Sequence, residues 1–152
     1  MKLAIGADDA GLELKTTLKA YAEGLGHEVV DYGVHDTSPC LYPDVANEVA
    51  TAVAAGRHER GILICGTGIG MAIAANKVPG IRAALAHDAF SAERAVKSND
   101  AQILTLGARV IGPELAKYLL RVYLESTFVD GPSTPKIQRI MEYERNYHGG
   151  AL

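Results

Sequence analysis

Gly61-Ile-Leu-Ile-Cys-Gly-Thr-Gly-Ile-Gly70 decides the fold. Residues 61–65 are continuously apolar, as in a strand covered on both faces. Three alternate glycines, Gly66, Gly68 and Gly70, then form a turn, and a helix is expected from Met71. Similar apolar runs at Lys2–Ile5, His27–Tyr32, Arg82–Ala86 and Ala101–Leu106 predict four more strands, with segments of helical period between them. That alternation predicts an α/β domain with parallel strands joined by helical crossovers. Leu14, Leu18, Tyr21 and Leu25 share one helix face, which Gly26 ends. Beyond the loop Gly33–Tyr42, Pro43 opens a helix running to about Ala55, with Val45, Val49, Ala52 and Val53 facing inward. Further helices are expected from Ala89 to Ser98 and from Gly112-Pro113 to about Ser126.

The 152 residues are expected to form one domain, 1–152. The segment Asp130–Pro135 reads as a linker. Lys136–Tyr147 reads as a helix with five charges, Lys136, Arg139, Glu142, Glu144 and Arg145, and little core face of its own. The tail 130–152 is therefore expected to pack on a partner subunit, in a homodimer or homotetramer.

Hydrophobic residues make up 48% of the chain and charged ones 22%, the balance of a soluble globular protein. Fifteen basic residues against 18 acidic ones give a net charge of −3, which provides no footprint for nucleic acid or an anionic membrane. No apolar stretch approaches the roughly 20 residues of a membrane span. The amino terminus does not read as a secretion signal, so a cytoplasmic location is expected. In a reducing compartment Cys40 and Cys65 are free thiols. The histidines at 27, 35, 58, 87 and 148 show no metal-ligand spacing, and neither metal nor cofactor is expected.

In an open parallel sheet, ligands collect beyond the carboxyl ends of the strands. Cys65 ends one strand at a glycine-rich turn, where backbone amides can face an anion and favour a thiolate. The alternative is a small buried hydrophobe. The glycine spacing is not the dinucleotide fingerprint, and no Gly-Lys-Ser/Thr completes a phosphate loop of the Walker type. Asp8 and Asp9 end the first strand, where either borders the same cleft or caps the next helix. Tyr42, Ser98, Asn99 and Arg109 fall near strand ends or loops, and Arg109 is a candidate for a phosphate.

GADDAG at 6–11, Tyr42-Pro-Asp44, ILICGTGIG at 62–70, AANK at 74–77, GIRAAL at 80–85, Asn99-Asp100 and LGARVIG at 106–112 resemble the type B ribose-5-phosphate isomerase and galactose-6-phosphate isomerase family. The resemblance spans nearly the whole chain. It implies a Rossmann-like three-layer sandwich on a five-stranded parallel sheet, and metal-free aldose–ketose isomerisation of a sugar phosphate through an enediol or enediolate. It also implies active sites built across a subunit interface. By the same resemblance Cys65 is the base and Thr67 a proton shuttle or hydroxyl ligand. The backbone of Gly66, Gly68, Ile69 and Gly70 would hold the oxyanion, and Asp8, Tyr42 and Asn99 would position hydroxyls.

The chain departs from the ribose-phosphate pattern at named positions. Asp9 stands where those members carry a phosphate-binding histidine, and Ser98 where they carry the ring-opening one. Lys136 replaces one phosphate-binding arginine and Pro132 falls at the other, which leaves Arg109. A carboxylate at 9 repels a phosphate dianion. A tetrose 4-phosphate cannot close to a furanose, because its O4 carries the phosphate, so it needs no ring-opening histidine. The expected substrate is therefore a tetrose, pentose or hexose phosphate other than ribose 5-phosphate. The alternatives are ribose 5-phosphate itself, a free sugar, or a non-catalytic sugar-phosphate-binding subunit.

Overall fold

Residues 1–149, which the computed structural model describes, hold five strands and six helices. The strands are β1 (Lys2–Ala7), β2 (Glu28–Asp31), β3 (Arg60–Cys65), β4 (Ala83–Leu85) and β5 (Ile103–Gly107). The helices are α1 (Leu12–Gly24), α2 (Tyr42–Ala54), α3 (Ile69–Ala75), α4 (Ala89–Lys97), α5 (Pro113–Glu125) and α6 (Thr134–Gly149). All strand pairs are parallel, in the order β2-β1-β3-β5-β4.

Alternation along the strands divides the core in two. Leu3, Ile5, Ala7, Ile62, Ile64, Leu104 and Leu106 meet Leu14 and Leu18 of α1, Ala92 and Val96 of α4, and Leu119, Leu120 and Tyr123 of α5. On the opposite face Ala4, Leu63, Cys65 and Ile103 meet Val45, Val49 and Val53 of α2 and Met71 and Ala75 of α3. Helices on both faces make a three-layer α/β sandwich and explain why the central strands are apolar at every position.

Some boundaries and faces differ from expectation. Leu25 lies outside α1 as its C-cap and is 43% exposed, whereas Lys15, inside α1, is 1% exposed. Its ammonium lies 2.7 Å from Asp31 Oδ1 and donates to the Val34 carbonyl, which offsets the loss of water. Helix α3 begins at Ile69 rather than Met71, because Gly68 takes φ +79°, a left-handed conformation costly for residues with a Cβ, and caps the helix directly. The turn after β3 is shorter by that amount. Helix α6 starts at Thr134, two residues earlier than expected, and Ile137 is its buried residue.

Helix α6 is fastened near the amino end of β4. The Gly80 N–H donates to Glu144 Oε2, and the Arg82 guanidinium reaches Met141 Sδ. Ile140, Tyr143 and Tyr147 are left on its exposed side.

Candidate active site

Strand β1 lies between β2 and β3, so the chain reverses its direction of travel across the sheet between β1 and β3. A crevice opens outside the carboxyl ends of the strands at such a reversal. Asp8 leaves β1 there and Cys65 ends β3. The Asp8 N–H donates to the Ile64 carbonyl at 3.2 Å, which ties the two strand ends together.

Cys65 is 5% exposed, and its Sγ accepts the Gly68 N–H at 3.1 Å. The glycine turn thus folds back onto the sulfur and presents a donor that strengthens when the sulfur carries charge. Thr67, at the tip of the turn, is exposed, and its Oγ1 accepts the Ile69 N–H at 3.3 Å. Two close approaches fix this turn. A Cβ on Gly107 would stand 2.7 Å from the Thr67 carbonyl group, so β5 abuts the turn backbone to backbone. A Cβ on Gly70 would stand 2.4 Å from Tyr42 Cζ, so the phenol of the first residue of α2 lies close against the first turn of α3.

Asp8 Oδ1 accepts the Gly11 N–H at 3.0 Å, so the carboxylate at the entrance to α1 is that of Asp8, while Asp9 is exposed. Burial raises the Asp8 pKa. The Gly11 N–H opposes that shift, Asp9 adds to it, and Arg109 acts against it. Arg109 reaches the same place from the loop after β5. Its N–H donates to the Gly66 carbonyl at 3.0 Å, and its guanidinium lies over Gly66, 3.2 Å from where a Cβ would be. Asp8, Asp9, Tyr42, the 65–70 turn and Arg109 therefore share one end of the sheet.

Ser98, Asn99 and Lys136 are elsewhere in the same chain. The Asn99 carbonyl accepts from Arg82 Nε, just before β4, and the neighbouring Gln102 carbonyl accepts the Gly61 N–H at the start of β3. Gly61 pairs with Ile103 and Cys65 with Gly107. At about 3.3 Å per residue, the Ser98-Asn99 corner is therefore roughly 13 Å down the sheet from Cys65. Lys136 is exposed on the first turn of α6, the helix fastened to that lower end. One subunit holds the thiol end and, separately, the Ser98-Asn99 end.

Two residues at the site escaped the sequence reading. His87 Nε2 accepts the Gly107 N–H at 2.9 Å, and the buried Thr105 hydroxyl donates to the Gly68 carbonyl at 2.9 Å. The glycine at the end of β5, Gly107, signals a close approach at that strand end, but nothing in the sequence names His87 or Thr105 as its partners. Among the described residues no three His, Cys, Asp or Glu side chains come together as a metal site, and no helix is long and apolar enough to cross a membrane.

Comparison with known proteins finds relatives over nearly the whole chain. The family described as Ribose/Galactose Isomerase matches residues 3–140. A Pectobacterium atrosepticum protein named D-erythrulose-4-phosphate isomerase is 53% identical over 145 residues, covering 95% of each chain. A Listeria innocua protein named Ribose-5-P isomerase B is 52% identical over 145 residues, covering 95% of this chain and 98% of its own. The structure of Clostridium thermocellum Ribose-5-Phosphate Isomerase B superimposes with a TM-score of 0.95 at 43% identity, covering 97% of this chain and 99% of that one.

Proposed function

The chain belongs to the ribose/galactose isomerase family and is a sugar-phosphate aldose–ketose isomerase, and from that premise we propose that its substrate is a tetrose 4-phosphate, interconverted between D-erythrulose 4-phosphate and its aldose. Cys65 is the base. As thiolate it takes a proton from C1 of the ketose, the C–H electron pair becomes the C1–C2 double bond of an enediolate, and the proton returns at C2. In this reading the Gly68 N–H steadies the sulfur, and Thr67 Oγ1 moves a proton between O1 and O2. Since the Gly68 and Ile69 amides already have partners, the oxyanion falls to the Gly66 and Gly70 N–H groups. Tyr42, against Gly70, and Asp8 orient hydroxyls, and Arg109 offers a cation to the phosphate.

The observation that carries the chemistry is the Cys65 sulfur, held by the Gly68 N–H where β1 and β3 part. What supports a four-carbon substrate is Ser98, a poor group for ring opening, together with the 53% identity to the Pectobacterium isomerase. The 52% identity to the Listeria ribose-phosphate enzyme favours the second reading, ribose 5-phosphate. Because Ser98, Asn99 and Lys136 lie at the other end of their own subunit, they serve the substrate of a second copy. The working unit is then a homodimer or a dimer of dimers, with the exposed side of α6 at an interface.

A panel of four-, five- and six-carbon aldoses and ketoses, with and without phosphate, tests the assignment. D-erythrulose 4-phosphate should give the highest kcat/KM, with ribose 5-phosphate at least about tenfold lower, since it needs a ring-opening group. Ribose 5-phosphate as the best substrate overturns the four-carbon reading.

A further inference from the structure

Gly107 occupies the last ladder position of β5, opposite Cys65, and its bare Cα lets the Thr67 backbone close against it. Its N–H is taken by His87 Nε2 at 2.9 Å, two residues beyond β4. An acceptor at Nε2 requires a lone pair there, so the ring is neutral with its proton on Nδ1. The Thr105 hydroxyl grips the next part of the turn through the Gly68 carbonyl, and the N–H of that same Gly68 holds the Cys65 sulfur. Thr105 thus holds the turn directly and His87 holds the Gly107 backbone that abuts it.

We propose that His87 is a positioning residue for proton transfer, acting through Gly107 on the Cys65–Thr67 turn and only as the neutral imidazole. The proposal rests on Cys65 being the base. Protonation places an N–H where Gly107 offers another N–H. The bond is lost, and the Gly107 donor is left without its acceptor beside the reacting groups. Burial holds the His87 pKa below the usual histidine value. The titratable groups at the near ends of the elements that meet there are Cys65 at the end of β3, Asp88 capping α4, and Arg109 after β5; farther along α4, Arg94 and Lys97 pair with Glu93, Arg60 at the far end of β3 binds the Tyr123 and Ser126 carbonyls, and α3 carries none. Asp88 is occupied with the Ser91 N–H.

The test is the pH dependence of kcat for the full-length enzyme at saturating D-erythrulose 4-phosphate, compared among wild type, His87→Gln and His87→Leu. Glutamine places a carbonyl oxygen near the position of Nε2 and does not titrate in this range; leucine fills the space with no acceptor. His87→Leu should lower kcat at pH 7.5 by at least about tenfold with KM little changed, the scale of a small misplacement of reacting groups. His87→Gln should recover most of that loss, and on the acid side of the ordinary histidine value of 6.5 its kcat should fall less steeply than that of wild type, by the part that protonation of His87 causes. The substrate phosphate, which ionises near pH 6, affects all three alike. Thr105→Val should lower kcat while leaving the acid fall of wild type in place. A His87→Gln profile with the same acid fall as wild type, or a His87→Leu enzyme of full kcat, overturns the proposal; if the leucine variant does not fold, the glutamine profile decides. Cys65→Ala is run beside them. Its full activity overturns the reading beneath the proposal, whereas an inactive Cys65→Ala with an unaffected His87→Leu overturns the role of His87 alone.

Discussion

Gly70→Ala isolates the contact between Tyr42 and the turn. The new methyl would stand 2.4 Å from Tyr42 Cζ and 2.5 Å from Cε2 and Oη. Carbon atoms rest at about 3.5–4.0 Å, so the phenol must withdraw by more than about 1 Å. Tyr42 is 38% exposed and opens α2, so it can swing into solvent without disturbing the core. Alanine inside α3 meanwhile gains about 0.5–1 kcal/mol of helix preference over glycine. The net change in unfolding free energy should therefore stay within about 1 kcal/mol, while a displacement of that size at a substrate-facing group should lower kcat/KM by about ten- to a hundredfold. Steady-state kinetics and thermal unfolding separate the two effects. In a Tyr42→Ala background the same substitution should have little further effect on kcat/KM, because the group it displaces is gone. An unimpaired Gly70→Ala enzyme, or an equal loss in both backgrounds, refutes the placement of Tyr42 at the substrate.

Asp8 should make the site costly to the fold. Its pKa is raised, chiefly by burial, so the protonated form is the one the folded state favours, and that contribution is complete below 3.8 and lost as pH rises through the raised value. Asp8→Asn, which keeps an acceptor for the Gly11 N–H, should then be more stable than wild type at pH 7, with the advantage vanishing below pH 3.8 in thermal unfolding across pH, and it should be less active. Mixing Cys65→Ala subunits with Asn99→Ala subunits should restore activity toward about a quarter of the wild-type sites, the share expected for random dimers with one intact site per hybrid. Equal mixtures as inactive as their parents would place Asn99 outside a shared site. Prolonged dialysis against a chelator should leave turnover unchanged, and a loss reversed by a divalent ion would contradict a base-only mechanism.

Much of the fold was readable because the central strands β1, β3 and β5 are buried on both faces. Ile62, Leu63, Ile64 and Cys65 face two different helical layers, and only a covered parallel strand is apolar at every step. The burial of Lys15 had no such signal in the sequence. Helical period places it one step off the apolar stripe, and nothing local reveals that Asp31 and the Val34 carbonyl wait for its ammonium. At the site, the thiol, the glycine turn and the acids at 8 and 9 were visible as unusual residues at strand ends. Which acid meets the backbone, and the approach of Arg109 over Gly66, depended on tertiary contacts. His87 and Thr105 gave no sign, since a histidine after a strand and a threonine within one are ordinary until a backbone partner is seen. The separation of Ser98 and Asn99 from Cys65 follows from topology, because helix α4 returns the chain to the lower end of the sheet before β5 begins.

Solvent exchange at the reacting carbon tests the central claim most directly. D-erythrulose 4-phosphate incubated with enzyme in deuterium oxide should gain deuterium at C1, followed by proton NMR, as the base trades its proton with solvent between abstraction and return. Cys65→Ala, folded as judged by circular dichroism, should exchange at least about a hundredfold more slowly, the usual contribution of a general base. Exchange by Cys65→Ala at the wild-type rate would contradict the account.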